Sequence, residues 1–246
     1  MERDNDSKGR VAVVTGANRG LGFAAVRELA GRGYRVILTA RSQVKAAEAV
    51  KALAEEGLEV EPEVLDVASD ASVDAFVGRL RDKHGRCDVL VNNAGTIFEP
   101  SNDPANPGGA ATMHVPADIV LRAFNNNTLG AYRLIRAILP MMNEAGYGRV
   151  VNVSSGMGAL SDMGSAFPAY RISKTALSAV TRLFDHEAAD GVKINAVCPG
   201  WVRTDMGGQS ATRSIDEGVR GIVIAATLGA DGPRGKFLRD GEIIDW

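Results

Sequence analysis

The chain has 246 residues, of which 45% are hydrophobic and 24% charged, with a formal net charge of −2. That length can bury a full core, and the near-neutral balance gives no electrostatic reason to expect nucleic acid or an anionic membrane as a partner. No apolar run approaches the roughly 20 residues needed to cross a bilayer. The charged start, Met1 to Arg10, lacks the apolar centre of a secretion signal, so residues 1–8 are expected to be a frayed tail and the address cytoplasmic.

Val11 to Val14 is a short β-branched run bounded by charge and then glycine, and it reads as a buried strand. Thr15-Gly16-Ala17-Asn18-Arg19-Gly20-Leu21-Gly22 follows at once, and Phe23 to Ala30 has helical composition. Strand, glycine turn and helix together form the context of a dinucleotide site, because the backbone can approach a pyrophosphate resting on the helix N-terminus. A tight turn with glycines kept for close packing is the plainer alternative. Tyr34 to Thr39 is a second strand, and Arg41 stands just past its end. No acidic residue lies between Glu28 and Glu48, so the usual carboxylate for both ribose hydroxyls is missing. Arg41, with Arg19 from the glycine loop, could instead converge on a 2′-phosphate, which favours NADP over NAD. Two solvated surface arginines are the alternative.

Gln43 to Glu56 is an amphipathic helix and Glu59 to Leu65 a third strand. It ends at Asp66-Val67, where the carboxylate could meet an adenine amino group or equally cap the next helix, Ala71 to His84. Asp88 to Val91 is a fourth strand running into Asn92-Asn93-Ala94-Gly95, small residues that let backbone lie against a cofactor, although paired Asn could simply close a turn. Thr96 to Pro116 holds four prolines and reads as an irregular loop, long enough to suggest a cleft wall. His114 within it has no nameable partner and reads as a surface histidine. Ala117 to Met142 is helical, with the unusual triple Asn125-Asn126-Asn127 inside it. Arg149 to Val153 is a fifth strand ending in Ser154-Ser155-Gly156, hydroxyls where open parallel sheets bind ligands.

Tyr170 and Lys174 lie four apart, one turn from each other on a helix running through Phe184. A tyrosine has a pKa of about 10 in water, and a neighbouring ammonium is expected to lower it into the range of acid–base catalysis. Lys193 to Val197 is a sixth strand, followed by Cys198-Pro199-Gly200-Trp201-Val202-Arg203-Thr204. Gly218 to Leu228 is a last helix and Gly235 to Leu238 a possible seventh strand. Cys87 and Cys198 each stand beside a strand and read as buried thiols, not as a disulfide or a metal pair; no metal site is expected. Strands alternate with helices throughout and no linker divides the chain. The expectation is one α/β domain over residues 1–246, a Rossmann-like doubly wound parallel sheet of about seven strands with helices on both faces.

Taken in order, Thr15-Gly16-x-x-x-Gly20-x-Gly22, Asn92-Asn93-Ala94-Gly95, Asn127, Ser154-Ser155, Tyr170-x-x-x-Lys174 and Pro199-Gly200 resemble the short-chain dehydrogenase/reductase family. The similarity runs from about Lys8 to Leu238. Val36 to Arg41, Asp88 to Gly95 and Cys198 to Met206 look most like its NADPH-dependent carbonyl reductase branch. The resemblance implies reduction of ketones or aldehydes to alcohols by hydride transfer from NADPH. It implies Tyr170 as general acid/base, Lys174 as the group that lowers its pKa and holds the nicotinamide ribose, and Ser155 as donor to the substrate carbonyl. Asn127 would keep a water in a proton relay, Thr204 would bind the carboxamide, and the backbone at Val202 would assist. Gly16, Asn18, Arg19, Gly20, Leu21, Gly22, Arg41, Asp66, Val67, Asn93, Ala94, Gly95, Pro199 and Gly200 would line the cofactor. The spacing from serine to tyrosine is longer than in many members, which leaves Ser154 as the alternative donor. The long insertion between them found in monomeric animal carbonyl reductases is absent, which points to a homo-oligomer, a dimer or tetramer, over a monomer. A cofactor-binding sensor without chemistry and an NAD-dependent alcohol dehydrogenase are the competing functions.

Overall fold

The structure is a computed structural model that describes residues 8–100 and 110–246. Nearly all of the expected N-terminal tail, and the 101–109 part of the proline-rich loop, lie outside the described residues. The first half of the chain runs β1 (Val11–Val14), α1 (Gly20–Gly31), β2 (Arg35–Ala40), α2 (Gln43–Glu55), β3 (Val60–Val64), α3 (Asp70–His84) and β4 (Val89–Asn92). The second half runs α4 (Ala117–Ala123), α5 (Gly130–Ala145), β5 (Gly148–Val153), α6 (Pro168–Glu187), β6 (Val192–Val197), α7 (Ile215–Ala226), β7 (Phe237–Arg239) and β8 (Glu242–Ile244).

All eight strands join one sheet in the order β3-β2-β1-β4-β5-β6-β7-β8. The first seven are parallel, as the alternation of strands and helices predicts, and β8 returns antiparallel against β7. Every residue of β1, β4, β5 and β6 is buried, because helices cover both faces. The strand period of two sorts the side chains into two cores. Ala12, Val14, Val89 and Val91 face α1, α2 and α7. Val11, Val13, Leu90, Val150 and Ile194 face α3, α5 and α6. Strand order reverses between β1 and β4, so a crevice opens at their carboxyl ends, the place where such sheets bind ligands.

Two elements differ from the sequence reading. The helix expected over Ala117 to Met142 is interrupted by a π turn, Phe124–Leu129, which carries the three asparagines. Asn is a mediocre α-former, but here each amide has a partner. Asn125 Nδ2 donates to the Ala68 carbonyl and its Oδ1 accepts from Arg133, while Asn126 donates to Asn127. The β7–β8 hairpin turns at Asp240-Gly241, both with positive φ, and β8 is too short and too exposed to show alternation.

Candidate active site

The glycine loop and the turn after β4 are built as one unit. Thr15 Oγ1 accepts the backbone N–H of Asn93 and of Ala94, at 3.0 and 2.9 Å. The Asn93 amide donates back to the carbonyls of Thr15 and Gly16. A Cβ on Gly22 would stand 2.5 Å from Asn93 Nδ2, and one on Gly16 would stand 3.0 Å from the Ala94 Cα. Those two glycines are therefore demanded by the packing of loop against turn. Gly20 is different. Its φ of +60° needs glycine, yet a Cβ there would meet only Thr204, at 3.6 Å, so it faces the crevice from one side and Thr204 from the other.

The first turn of α1 has no side-chain cap and no acidic residue, which leaves its amide donors open toward the crevice. Arg41, at the end of β2, is exposed and makes no ion pair among the described residues. Uncapped helix, open glycine and free cation together fit an anionic dinucleotide carrying an extra phosphate. Asn18 and Leu21 stand half-buried in the same loop. Three details depart from expectation. Arg19 forms an ion pair with Asp205, both side chains 72% exposed, and an exposed pair of this kind is weak. Asp66 does not cap α3, since Ser69 does so by accepting the Ser72 N–H. Asp66 closes its own turn, accepting the Ala68 N–H at 3.0 Å. Val67 is buried against Gly130, whose missing Cβ makes room for it.

Tyr170 and Lys174 rise from the first two turns of α6, 7% and 3% exposed. The Lys174 Nζ lies 5.7 Å from the Tyr170 ring centre and donates to the Val153 carbonyl at 2.7 Å. Gly95 and Asn127 close in from the other side; a Cβ on Gly95 would stand 3.2 Å from Lys174 Nζ and 3.5 Å from Asn127 Oδ1. Asn127 is 2% exposed. It donates to the Thr96 carbonyl and to Ser173 Oγ, and accepts the Thr96 N–H. Its side chain thus pins the strand-end loop to α6, and the π turn puts it there.

The geometry separates the two serines. Ser154 Oγ is buried and donates to the Lys174 carbonyl. Ser155 Oγ accepts the Met157 N–H and lies close enough to the Tyr170 phenol to pull on its acidity. The electrostatics differ from the sequence expectation. Burial pushes the Tyr170 phenol up to about 12, against the opposing pull of Ser155. Burial also brings Lys174 down to about 8. In the protein alone desolvation sets the direction and no lowering by Lys174 opposes it, so the phenol stays neutral at pH 7 and can donate a proton. Opposite, Gly200 turns the chain after β6 with φ +79° following Pro199. Val202 is buried and bridges to Arg213. Its carbonyl accepts the Thr204 N–H at 2.8 Å, which seats Thr204 above Gly20.

Sequence reading missed Glu99. It is 4% exposed, and its Oε1 accepts the Tyr170 N–H at 2.9 Å across 71 positions of sequence. Helix α6 has no side-chain cap of its own and begins after Phe167, whose φ is +53°. The Phe167 N–H is taken by the Ala110 carbonyl. The loop after β4 therefore supplies, from its two shoulders, the capping that the tyrosine helix lacks. No local motif marks Glu99; only the contact does. Among the described residues no group of three His, Cys, Asp or Glu side chains could hold a metal ion, and no helix is long and apolar enough to cross a membrane.

Comparison with known proteins agrees with this geometry. Residues 10–214 match the short chain dehydrogenase family. The chain is 33% identical to carbonyl reductase [NADPH] 1 of Sus scrofa, over 98% of this chain and 95% of that one. Among solved structures it resembles a metagenomic short-chain oxidoreductase in complex with NADP, with 30% identity, a TM-score of 0.77, and 94% and 97% of the two chains covered. It also resembles a single-substitution variant of the actinorhodin polyketide ketoreductase with NADPH, with 28% identity, a TM-score of 0.82 and 95% of each chain covered.

Proposed function

The chain belongs to the short chain dehydrogenase family, and on that premise we propose that it reduces ketones or aldehydes to alcohols with Tyr170 as the general acid. It is an NADP-dependent oxidoreductase of the carbonyl reductase type, a reading supported by its likeness to the porcine reductase and to NADP(H)-bound family members. NADPH bound in the crevice would supply the hydride.

The protein's own groups do the rest. Tyr170 O–H hands its proton to the carbonyl oxygen as negative charge develops there, and Ser155 O–H donates to the same oxygen. A positioned proton donor of this kind contributes typically ~10²–10⁴-fold. Lys174 holds a positive charge beside the phenol below about pH 8, which favours its transient ionisation. Asn127 fixes the loop behind Lys174 and would hold water for reprotonation. The uncapped start of α1, with Gly16, Gly20 and Gly22, would take the pyrophosphate. Arg41 would take the 2′-phosphate, and Thr204 with the Val202 backbone would take the carboxamide. Asn93, Ala94, Gly95 and Asp66-Val67 would line the adenosine and ribose side.

The observation that carries the reading is the buried Tyr170 phenol, with the half-buried Ser155 acting on it and the buried Lys174 in the next turn. The test is NADPH consumption by the purified protein over a panel of aromatic and aliphatic carbonyls. Turnover of at least some is expected, and no turnover of any would overturn it. A second copy of the chain would dock on the outer faces of α5 and α6. There Tyr132, Ile172 and Leu183 are 40%, 48% and 65% exposed on adjoining stripes. Light scattering at micromolar concentration is expected to give a dimer or tetramer.

A further inference from the structure

The carboxyl edge of the sheet brings a third strand to the reaction centre. Along β6, Ile194 packs against the α6 layer, so by period two Cys198 lies on that same face. Cys198 joins Phe237 of β7 in one small cluster, and Arg239, two residues on, shares its face. Read across the edge, the order is Ser155-Gly156 after β5, Cys198 after β6, and Arg239 at the end of β7, all on the side where Tyr170 rises.

Arg239 is exposed, with its guanidinium folded over this edge. Its Nη2 donates to Cys198 Sγ at 3.2 Å. It fills the space that a side chain on Gly156 would occupy, 3.1 Å from that Cβ position. The same sulfur accepts the Gly156 N–H at 3.1 Å. Two carboxylates are near in sequence, and neither neutralises the guanidinium. Asp240 is taken by Arg213 at 2.7 Å. Glu242 sits directly across the hairpin from Arg239 but forms no ion pair with it. A guanidinium has five donors in a fork, and among the described residues only one bond of Arg239 is accounted for, to a weak acceptor. The other cations here are committed. Arg171 donates to the carbonyls of Ala166 and Met157, and Lys174 donates to Val153. The one buried acid nearby, Glu99, is engaged by the Tyr170 N–H.

We propose that Arg239 is a substrate-binding residue that selects carbonyl compounds bearing a carboxylate a few bonds from the carbonyl, that is, oxo acids. Gly156, which the guanidinium covers at 3.1 Å from its Cβ position, directly succeeds Ser155, so both groups border the same end of the cleft. A carboxylate is ionised at neutral pH and matches the arginine fork in two parallel bonds. Arg239 would turn its free donors to the carboxylate while Nη2 stays over Gly156. This inference rests on the carbonyl-reducing reading of the site.

The test compares 4-oxopentanoate with its neutral methyl ester, which keeps the shape and removes the charge. Wild-type protein with NADPH is expected to show a higher kcat/KM for the acid. Arg239→Met is expected to lower the acid-to-ester ratio roughly 10- to 100-fold, the loss for one charge-assisted bond, and Arg239→Lys to restore part of it. Calorimetric binding of 4-oxopentanoate to the NADP-loaded protein gives a second readout that needs no turnover. Heat of binding that is lost in Arg239→Met and weakened by salt supports the assignment. An ester preference in wild type, an unchanged ratio in Arg239→Met, or equal binding by both proteins overturns it. Absence of turnover with either compound would count against carbonyl reduction itself, while the calorimetry would still decide the role of Arg239.

Discussion

The two walls of the crevice are held by different means. On the β1–β4 side the loop and turn interlock through contacts between neighbouring strands. Gly16 lies on Ala94, Gly22 on Asn93, and Thr15 takes two backbone donors. On the α6 side the tyrosine helix starts with a left-handed residue and no cap of its own, and its first turn is held by Glu99 and Ala110 from a distant loop. The first wall is fixed by how small its residues are, the second by one buried carboxylate. Damage to the first should therefore appear as lost cofactor affinity, and damage to the second as lost turnover with the cofactor still bound.

Changes on the tyrosine wall should have the largest effects. Ser155→Ala removes a donor from the substrate oxygen and is expected to lower kcat by ~10²–10³-fold with the NADPH dissociation constant unchanged. Ser154→Ala, in contrast, should cost far less, since that hydroxyl is turned to the Lys174 carbonyl. Equal effects would dissolve the distinction between the two serines. Next comes Glu99→Ala, which leaves the Tyr170 N–H buried without an acceptor. That should cost about 1–3 kcal/mol of stability. It should also cost roughly 10- to 100-fold in kcat through misplacement of the phenol. Glu99→Gln keeps an acceptor and should recover most of it. A kcat that survives Glu99→Ala would show the helix start to be self-supporting.

On the cofactor wall the expected signature reverses. Gly22→Ala forces a Cβ to 2.5 Å from Asn93 Nδ2 and 2.8 Å from the Ala17 Cα. An overpacking cost of about 1–3 kcal/mol should accompany weaker NADPH binding, measurable by thermal melting and fluorescence titration. Arg41→Asp should raise the NADPH KM roughly tenfold or more and the NADH KM little; no change would favour NAD as the natural partner. The smallest effect is on pH. Lys174 is lowered to about 8 by burial, so its charge is present below that value and lost above it. The reduction rate should decline as pH rises through about 8. A rate that holds to the ordinary lysine range of about 10 would show that burial does not govern this ammonium.

The same contrast explains what the sequence reveals. The cofactor wall obeys local rules, so β1, the glycine turn, α1 and the Asn92–Gly95 turn are readable from spacing; on the tyrosine wall only the Tyr170/Lys174 pair is. Strand and helix ends fall within a few residues of the observed ones because Gly, Pro and charge punctuate them. What escapes the sequence is set by distance. The triple asparagine makes sense only as a π turn whose amides reach Ala68, Thr96 and Ser173. The choice of Ser155 depends on which hydroxyl is spent on the Lys174 carbonyl and which acts on the Tyr170 phenol. Glu99 and Arg239 carry no motif, and each acquires meaning from a partner far along the chain. The pairing of Arg19 with Asp205, 186 positions on, is likewise invisible to spacing.

The central claim is that the Tyr170 phenol is the proton donor to the substrate oxygen. Its most direct test is Tyr170→Phe, measured in one preparation for both NADPH affinity and carbonyl turnover. The account predicts an NADPH dissociation constant close to wild type and turnover lowered by ~10²-fold or more. Turnover near the wild-type rate would contradict it, because the ring without its hydroxyl has no proton to give.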